Sequence, residues 1–302
     1  MTTMTPGSIV VGVDGSGSSE AALDWAILQA ARRHRPLHLL YALGVDYTVA
    51  TALLNSPESR MAAGRLDDEA LDDVLLEACR DRAAQLAPAL EVTGETVSGQ
   101  AGQALVSRSE QASTVVTGAR GRSGWRAAVL GSVSLQVAMH AHCPVVVVRS
   151  HPQPDDITPR IVVGIDGSAA SMPALQFAFE QADSSAAGLT VVHAWWLDYA
   201  AGAVRIVGYP DVRDELVEQQ RLLVAESLAG WREKYPDVNV REHLLRAHPV
   251  EALVDHSVGA ELVVVGSRGR GGFTGLLLGS VSHGVLQRSL CPVAVVRERT
   301  SL

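Results

Sequence analysis

Lysine is almost missing from this chain: of 25 cationic residues only Lys234 is a lysine, and the rest are arginines. A phosphate loop of the GxxxxGK[ST] kind is thereby excluded, because no ammonium group lies near any glycine run. Cysteine is scarce too. Cys79, Cys143 and Cys291 form an odd set without tight spacing, which is not a disulfide framework. No apolar run approaches the roughly 20 residues needed to cross a bilayer. The first residues show no basic stretch leading into an apolar one, so export is not expected and the cytoplasm is the expected location. Positive charge is not in surplus either: a net charge of −8 argues against a nucleic-acid partner.

What the chain has in plenty is repetition. IVVGVDGS from Ile9 returns as IVVGIDGS from Ile161, LHLLYAL from Leu37 as LTVVHAW from Leu189, and HCPVVVVR from His142 as LCPVAVVR from Leu290. A repeat of this length is a domain rather than a solenoid unit. The chain therefore reads as two homologous domains, 1–150 and 160–302, joined by the polar, proline-rich stretch 151–159. Cys143 and Cys291 fall at matching points, each before a proline and an apolar run, as small buried residues at a strand entrance.

Within the first copy, strands are expected at 9–13, 37–43, 95–98, 114–117 and 145–148. Helices are expected after Ser18 and at 67–86, 103–110 and 132–140. Strands that are apolar throughout imply a sheet covered on both faces, and their alternation with helices implies a parallel, doubly wound α/β fold. Five strands in the order 3-2-1-4-5 put the switch point between strands one and four, where ligands bind at the carboxyl ends of such sheets. Asp14-Gly15-Ser16 and the loop from Gly118 both border that point.

The loop carries the most specific signal. Gly118-x2-Gly121-x9-Gly131-Ser132 recurs as Gly266-x2-Gly269-x9-Gly279-Ser280, each time between a strand and a helix. Glycine permits positive φ and close approach of a ligand to the main chain. Successive amides in such a turn form an anion nest, and the helix that follows offers free N–H groups to phosphate. The hydroxyls of Ser132, Ser134, Ser280 and Ser282 are candidate further donors. Arg120, Arg122, Arg126, Arg268 and Arg270 stand in for the missing lysine, or are simply solvated loop arginines. For Asp14 and Asp166 the alternatives are ligand contact and a turn role through nearby N–H groups.

With these motifs the chain resembles the universal stress proteins, in their tandem ATP-binding form, over nearly its whole length. The resemblance implies an adenine nucleotide α-hydrolase-like fold, with ATP bound once in each half and magnesium or manganese as its companion ion. It implies that Asp14 and Asp166 meet the adenosine part. It implies that the main chain at Val13 and Ala42, and at Ile165 and Ala194, meets adenine, with Gly12 and Gly164 among the binding residues. Ribose and phosphates then fall to Gly118, Ala119, Arg120, Gly121, Arg122, Ser123, Gly124, Gly131, Ser132, Val133 and Ser134. In the second half they fall to Gly266, Ser267, Arg268, Gly269, Arg270, Gly271, Gly272, Gly279, Ser280, Val281 and Ser282. A nucleotide-dependent role in stress or growth control is implied as well, with dimerisation through the last strand and a protein partner of unknown identity.

The alternative reading is a slow ATPase or another nucleotide-using enzyme of the same fold. Asp14-Gly15-Ser16-Gly17-Ser18 only superficially resembles an SGGxDS pyrophosphatase loop, and no carboxylate cluster suited to phosphoryl transfer is evident. A third reading is an adaptor that binds nothing. His140, His142, Cys143 and His283 lack a second cluster at zinc spacing and read as core or helix-end residues. Trp195 and Trp196 read as packing, and the acidic run 67–73 as a solvated helix start. Segments 46–65 and 204–214 do not align between the copies and are expected to differ, as lids or otherwise.

Overall fold

The computed structural model describes residues 4–43, 68–121, 130–149, 159–195, 210–270 and 277–298. The expectations placed on Arg122, Ser123, Gly124, Arg126, Trp196, Gly271 and Gly272 lie outside the described residues, as do those on 46–65, the greater part of the linker and the first part of 204–214. The side chains of the acidic run 67–73 lie outside them too. Contacts divide the chain into two units, Met1–Ser150 and His151–Leu302.

The first unit runs β1 (Ile9–Val13), α1 (Gly17–Arg32), β2 (Leu37–Leu43), α2 (Asp68–Leu86), β3 (Val92–Ser98), α3 (Ala101–Arg108), β4 (Thr114–Gly118), α4 (Ser132–His140) and β5 (Val145–Val148). Its strands lie in the order β3-β2-β1-β4-β5, and each adjacent pair is parallel. The second unit runs β6 (Arg160–Gly164), a 3-10 turn (Ala169–Ser171), α5 (Met172–Ser185), β7 (Gly188–Ala194), α6 (Pro210–Leu228), α7 (Trp231–Lys234), β8 (Val240–Leu245), α8 (Pro249–Ser257), β9 (Leu262–Gly266), α9 (Ser280–Arg288) and β10 (Val293–Val296). Its order is β8-β7-β6-β9-β10, again parallel throughout. Both are doubly wound α/β sheets in the 3-2-1-4-5 order.

The central strands show why the fold follows from the sequence. Ile9, Val10 and Val11 of β1, and Val162 and Val163 of β6, are wholly shielded from solvent, as a strand covered on both faces requires. Helix α1 starts where Ser16 Oγ accepts from the Ser19 N–H at 3.2 Å, and it buries Ala22, Leu23, Ala26, Ile27 and Ala30. Cys143 and Cys291 are buried just before β5 and β10.

Three boundaries differ from expectation, each at a glycine. Strand β3 begins at Val92 instead of 95, because Gly94 pairs with Leu39, where a Cβ would come within 3.2 Å of the Leu39 Cβ. Helix α3 begins at Ala101 instead of 103, and Gly102 in its first turn leaves room for the Gln136 side chain from α4. Strand β4 extends through Gly118. A glycine that reads locally as loop is, at these places, a packing residue inside an element.

Candidate functional site

At the carboxyl end of β1 the chain turns sharply. Gly15 has φ +75°, and Asp14 Oδ1 accepts from the Ser16 N–H at 2.9 Å. The second unit repeats this with Gly167 at φ +75° and Asp166 Oδ1 accepting from both the N–H and the hydroxyl of Ser168, at 3.0 and 2.6 Å. Asp166 Oδ2 accepts from the Arg270 N–H at 2.7 Å, so the carboxylate ties the strand end to the glycine loop. Burial pushes the Asp166 carboxyl up. The bonds from Ser168, Arg270 and Ser171 together outweigh it and hold the carboxyl below its ordinary value.

Positive φ, one of the two grounds for the glycine signature, is not what its glycines supply. Positive φ belongs to Gly15 and Gly167, and none of Gly118, Gly121, Gly131, Gly266, Gly269 or Gly279 shares it. A Cβ on Gly118 would instead meet the Ser18 carbonyl oxygen at 2.6 Å, and one on Gly266 the Ala170 carbonyl oxygen at 3.0 Å. The first glycine lets the end of β4 or β9 pass against the turn or helix start that follows β1 or β6. The second lies against the aspartate: a Cβ on Gly121 would stand 2.9 Å from Asp14 Oδ2. Only the third has ordinary room on the protein side in the second unit, where the nearest atoms to a Cβ on Gly279 lie at 3.4 Å.

That third glycine opens the next helix. Gly131 and Gly279 are the N-caps of α4 and α9, and neither helix has a side-chain cap. The first-turn N–H groups of a helix have no intrahelical acceptor, so they face the cleft as donors. The hydroxyls of Ser134 and Ser282, expected as further donors, are committed elsewhere. They donate to the carbonyls of Gly118 and Gly266 at 2.6 and 2.5 Å and pin each helix start to its strand. Ser132 and Ser280 are exposed.

Each arrangement encloses a cavity, of about 350 Å³ in the first unit and about 430 Å³ in the second. Of the expected residues, Gly12, Val13, Asp14, Ala42, Gly118, Arg120, Gly121, Gly131, Ser132, Val133 and Ser134 line the first. Gly164, Ile165, Asp166, Ala194, Gly266, Arg268, Gly269, Arg270, Gly279, Ser280, Val281 and Ser282 line the second. Ala119 and Ser267 do not. They are buried, and their N–H groups donate to the Val148 and Val296 carbonyls, both at 2.7 Å.

Sequence reasoning missed the apolar walls. Ser19, Leu40, Ala101, Leu105 and Thr117 line the first cavity, and Ser171, Val192, Pro249, Leu253 and Val265 stand at the matching repeat positions in the second. The repeat offset was the signal that relates them. Leu105 and Leu253 also explain Gly12 and Gly164, where a Cβ would meet a leucine methyl at 3.0 and 2.8 Å. Thr117 is buried, and its hydroxyl has no partner among the described residues. Arg149 and Arg297 line neither cavity but feel the charge of arginines that do. Burial first, and then the like charge of Arg120 or Arg268, holds each guanidinium below its ordinary value. Among the described residues no three His, Cys, Asp or Glu side chains gather as a metal site, and no helix is long and apolar enough to cross a membrane.

The profile of the universal stress protein family matches residues 7–149 and again 158–297. The chain belongs to that family. A universal stress protein of Mycobacterium tuberculosis is 38% identical over 304 residues, covering 96% of this chain and 97% of that protein. One from Mycolicibacterium smegmatis is 37% identical over 295 residues, with the same coverage. The crystal structure of a universal stress protein from Archaeoglobus fulgidus superposes with a TM-score of 0.61 at 20% identity, over 97% of this chain and 98% of that one, a likeness of fold. Family membership thus covers both units, in tandem.

Proposed function

We propose that each half of the chain binds one ATP at the cleft described, and that occupancy regulates a stress or growth response. The observation that carries this reading is the pairing, found twice, of an uncapped helix start with a glycine loop lying against an aspartate around an apolar-walled cavity. Cavities of 350 and 430 Å³ lie within the roughly 300–1,000 Å³ range of small-molecule sites. Adenine suits the wall of Leu40, Leu105, Val192 and Leu253, and the triphosphate suits the helix N–H groups. The orphaned Thr117 hydroxyl is supplied with a partner if the ligand brings one.

A magnesium or manganese ion carried with the triphosphate takes phosphate oxygens and water as its ligands, which asks for no protein cluster. Binding, not turnover, is the proposed activity. Both oxygens of Asp166 accept hydrogen bonds from the protein, which suits a clamp better than a general base. The working form is proposed to be a cytoplasmic homodimer of tandem chains with a protein partner. Occupancy acts on that assembly only through different affinity for its states. Mass spectrometry of the small molecule released from purified protein tests the reading. Adenine nucleotide at two per chain is expected. Protein that neither carries nor takes up nucleotide would defeat it.

A further inference from the structure

The two units fasten the helix that walls their cavity by different chemistry. In the first unit Glu95 of β3 receives two hydrogen bonds from the Arg108 guanidinium of α3, at 2.5 and 2.8 Å. The repeat offset places His243 of β8 and His256 of α8 at those same two positions. Their rings meet edge to face, with His256 Nε2 and His243 Nδ1 3.1 Å apart.

The proton inventory of the pair is fixed by a neighbour. His256 Nδ1 lies 2.8 Å from the Ala252 carbonyl, which only accepts, so Nδ1 carries a hydrogen. In neutral His256 the Nε2 atom is then an acceptor, and His243 Nδ1–H donates to it. One added proton can still be shared across the contact. A second leaves two N–H groups facing each other and two positive rings in contact.

No carboxylate stands among the groups that act on His243. The charges acting on His243 are His256 on α8, Arg160 on β6 and Arg241 on β8 itself, all of one sign. The Arg160 guanidinium also donates to the His256 and Val258 carbonyls, which keeps it beside the pair. The first unit is the converse case. Its own buried histidine, His38, has Nε2 3.2 Å from Glu95 Oε1 and Nδ1 2.8 Å from Thr93 Oγ1, so a proton there faces a carboxylate. Burial holds His38 below its ordinary value, with Arg108 adding to this and Glu95 opposing it.

The fastened helix matters because it forms the cavity. Pro249 and Leu253 of α8 line the second cavity, and Val192, paired with His243 across β7 and β8, lines it too. We propose that the His243–His256 contact is a proton-sensitive fastener that loosens α8 from β8 in mild acid. The second cavity then opens while Glu95–Arg108 keeps the first one shut. That the cavity holds a nucleotide rests on the function proposed above; the loosening itself does not.

Hydrogen–deuterium exchange on the full chain, corrected for intrinsic rates at pH 7.5 and 5.5, reads the fastener directly. Opening across 240–257 is expected to rise about fivefold at the lower pH, the worth of one lost hydrogen bond, with no comparable change across 92–108. The double variant His243→Glu with His256→Arg, which installs the pair of the first unit, is expected to remove the difference. Equal pH responses in both regions, or an unchanged response in the variant, would overturn the proposal. If that variant does not fold, NMR titration of the His243 ring decides. His243 is expected to titrate below the ordinary histidine value and to move back toward it in His256→Gln, and a His243 titration indifferent to that substitution would refute the contact's role. Added ATP is a separate arm: earlier release from the second half in acid joins the two readings. Failure of ATP to bind at all, with exchange behaving as expected, would sink only the nucleotide.

Discussion

Gly269 and Asp166 touch at the edge of the second cavity: a Cβ at position 269 would stand 2.5 Å from Oδ2 of Asp166. The same oxygen takes the Arg270 N–H, so glycine and aspartate act as one part, a clamp that sets the loop. Gly269→Ala forces the carboxylate away and breaks that bond. A loss of about 1–3 kcal/mol in stability is expected, with ATP affinity lowered about tenfold or more in the second half. Gly121→Ala, with 2.9 Å to Asp14 Oδ2, is expected to do the same in the first half to a smaller degree. Calorimetric titration with each variant checks the order.

The first and third glycines of the signature should separate cleanly by experiment. A Cβ at Gly118 runs into the Ser18 backbone, at 2.6 Å from its carbonyl oxygen, whereas one at Gly279 finds nothing nearer than 3.4 Å. Gly118→Ala is expected to lower Tm by several degrees through about 1–3 kcal/mol of overpacking. Gly279→Ala, at an N-cap with φ −73°, is expected to leave Tm nearly unchanged while weakening ATP binding in the second half. Thermal scanning beside nucleotide titration distinguishes them, and a Tm loss in Gly279→Ala would contradict the assignment.

The pH dependence of Asp166 has a definite sign. Its carboxyl is held below the ordinary value in the folded protein, so it contributes stability that is fully present above the unfolded value of about 4. That contribution is lost as pH falls through the folded value. Asp166→Asn should be less stable than wild type at neutral pH, and the gap should narrow in acid. Denaturant unfolding of both proteins at pH 7, 4 and 3 measures the narrowing.

Thr117 offers a test of asymmetry between the halves. Its hydroxyl is buried without a partner among the described residues, and Val265 stands at the same place in the second cavity. Thr117→Val is expected to leave the empty protein as stable or more stable, by up to about 1 kcal/mol. If ATP supplies the missing partner, affinity of the first half falls about fivefold. Val265→Thr should shift the second half the opposite way. Site-resolved titration reads both.

Much of this architecture was open to reading from the residues alone, where burial on both faces leaves an unbroken apolar run. Strands β1, β2 and β5 and helix α4 fall where the sequence puts them, and the parallel order follows from alternation with helices. The glycines were harder. Gly94, Gly102 and Gly118 look locally like loop, yet each leaves space for Leu39, Gln136 or Ser18, residues distant in sequence. Ser134 and Ser282 misled for a related reason: a hydroxyl at a helix start is committed when a carbonyl 16 residues away takes it. The cavity walls carry no chemistry that marks them, and only the repeat offset relates Leu105 to Leu253. The exchange of Glu95–Arg108 for His243–His256 is equally silent until strand and helix are seen side by side.

The narrow gap between Gly118 and the Ser18 carbonyl changes how such chains should be surveyed. Evolution has reason to keep that residue bare in any descendant that merely stays folded, including one whose pocket has fallen idle. The residue opening the last helix answers to no comparable demand in the second unit, where a side chain would be tolerated in the absence of cargo. A survey that seeks working pockets among related sequences should therefore weigh that later position most heavily.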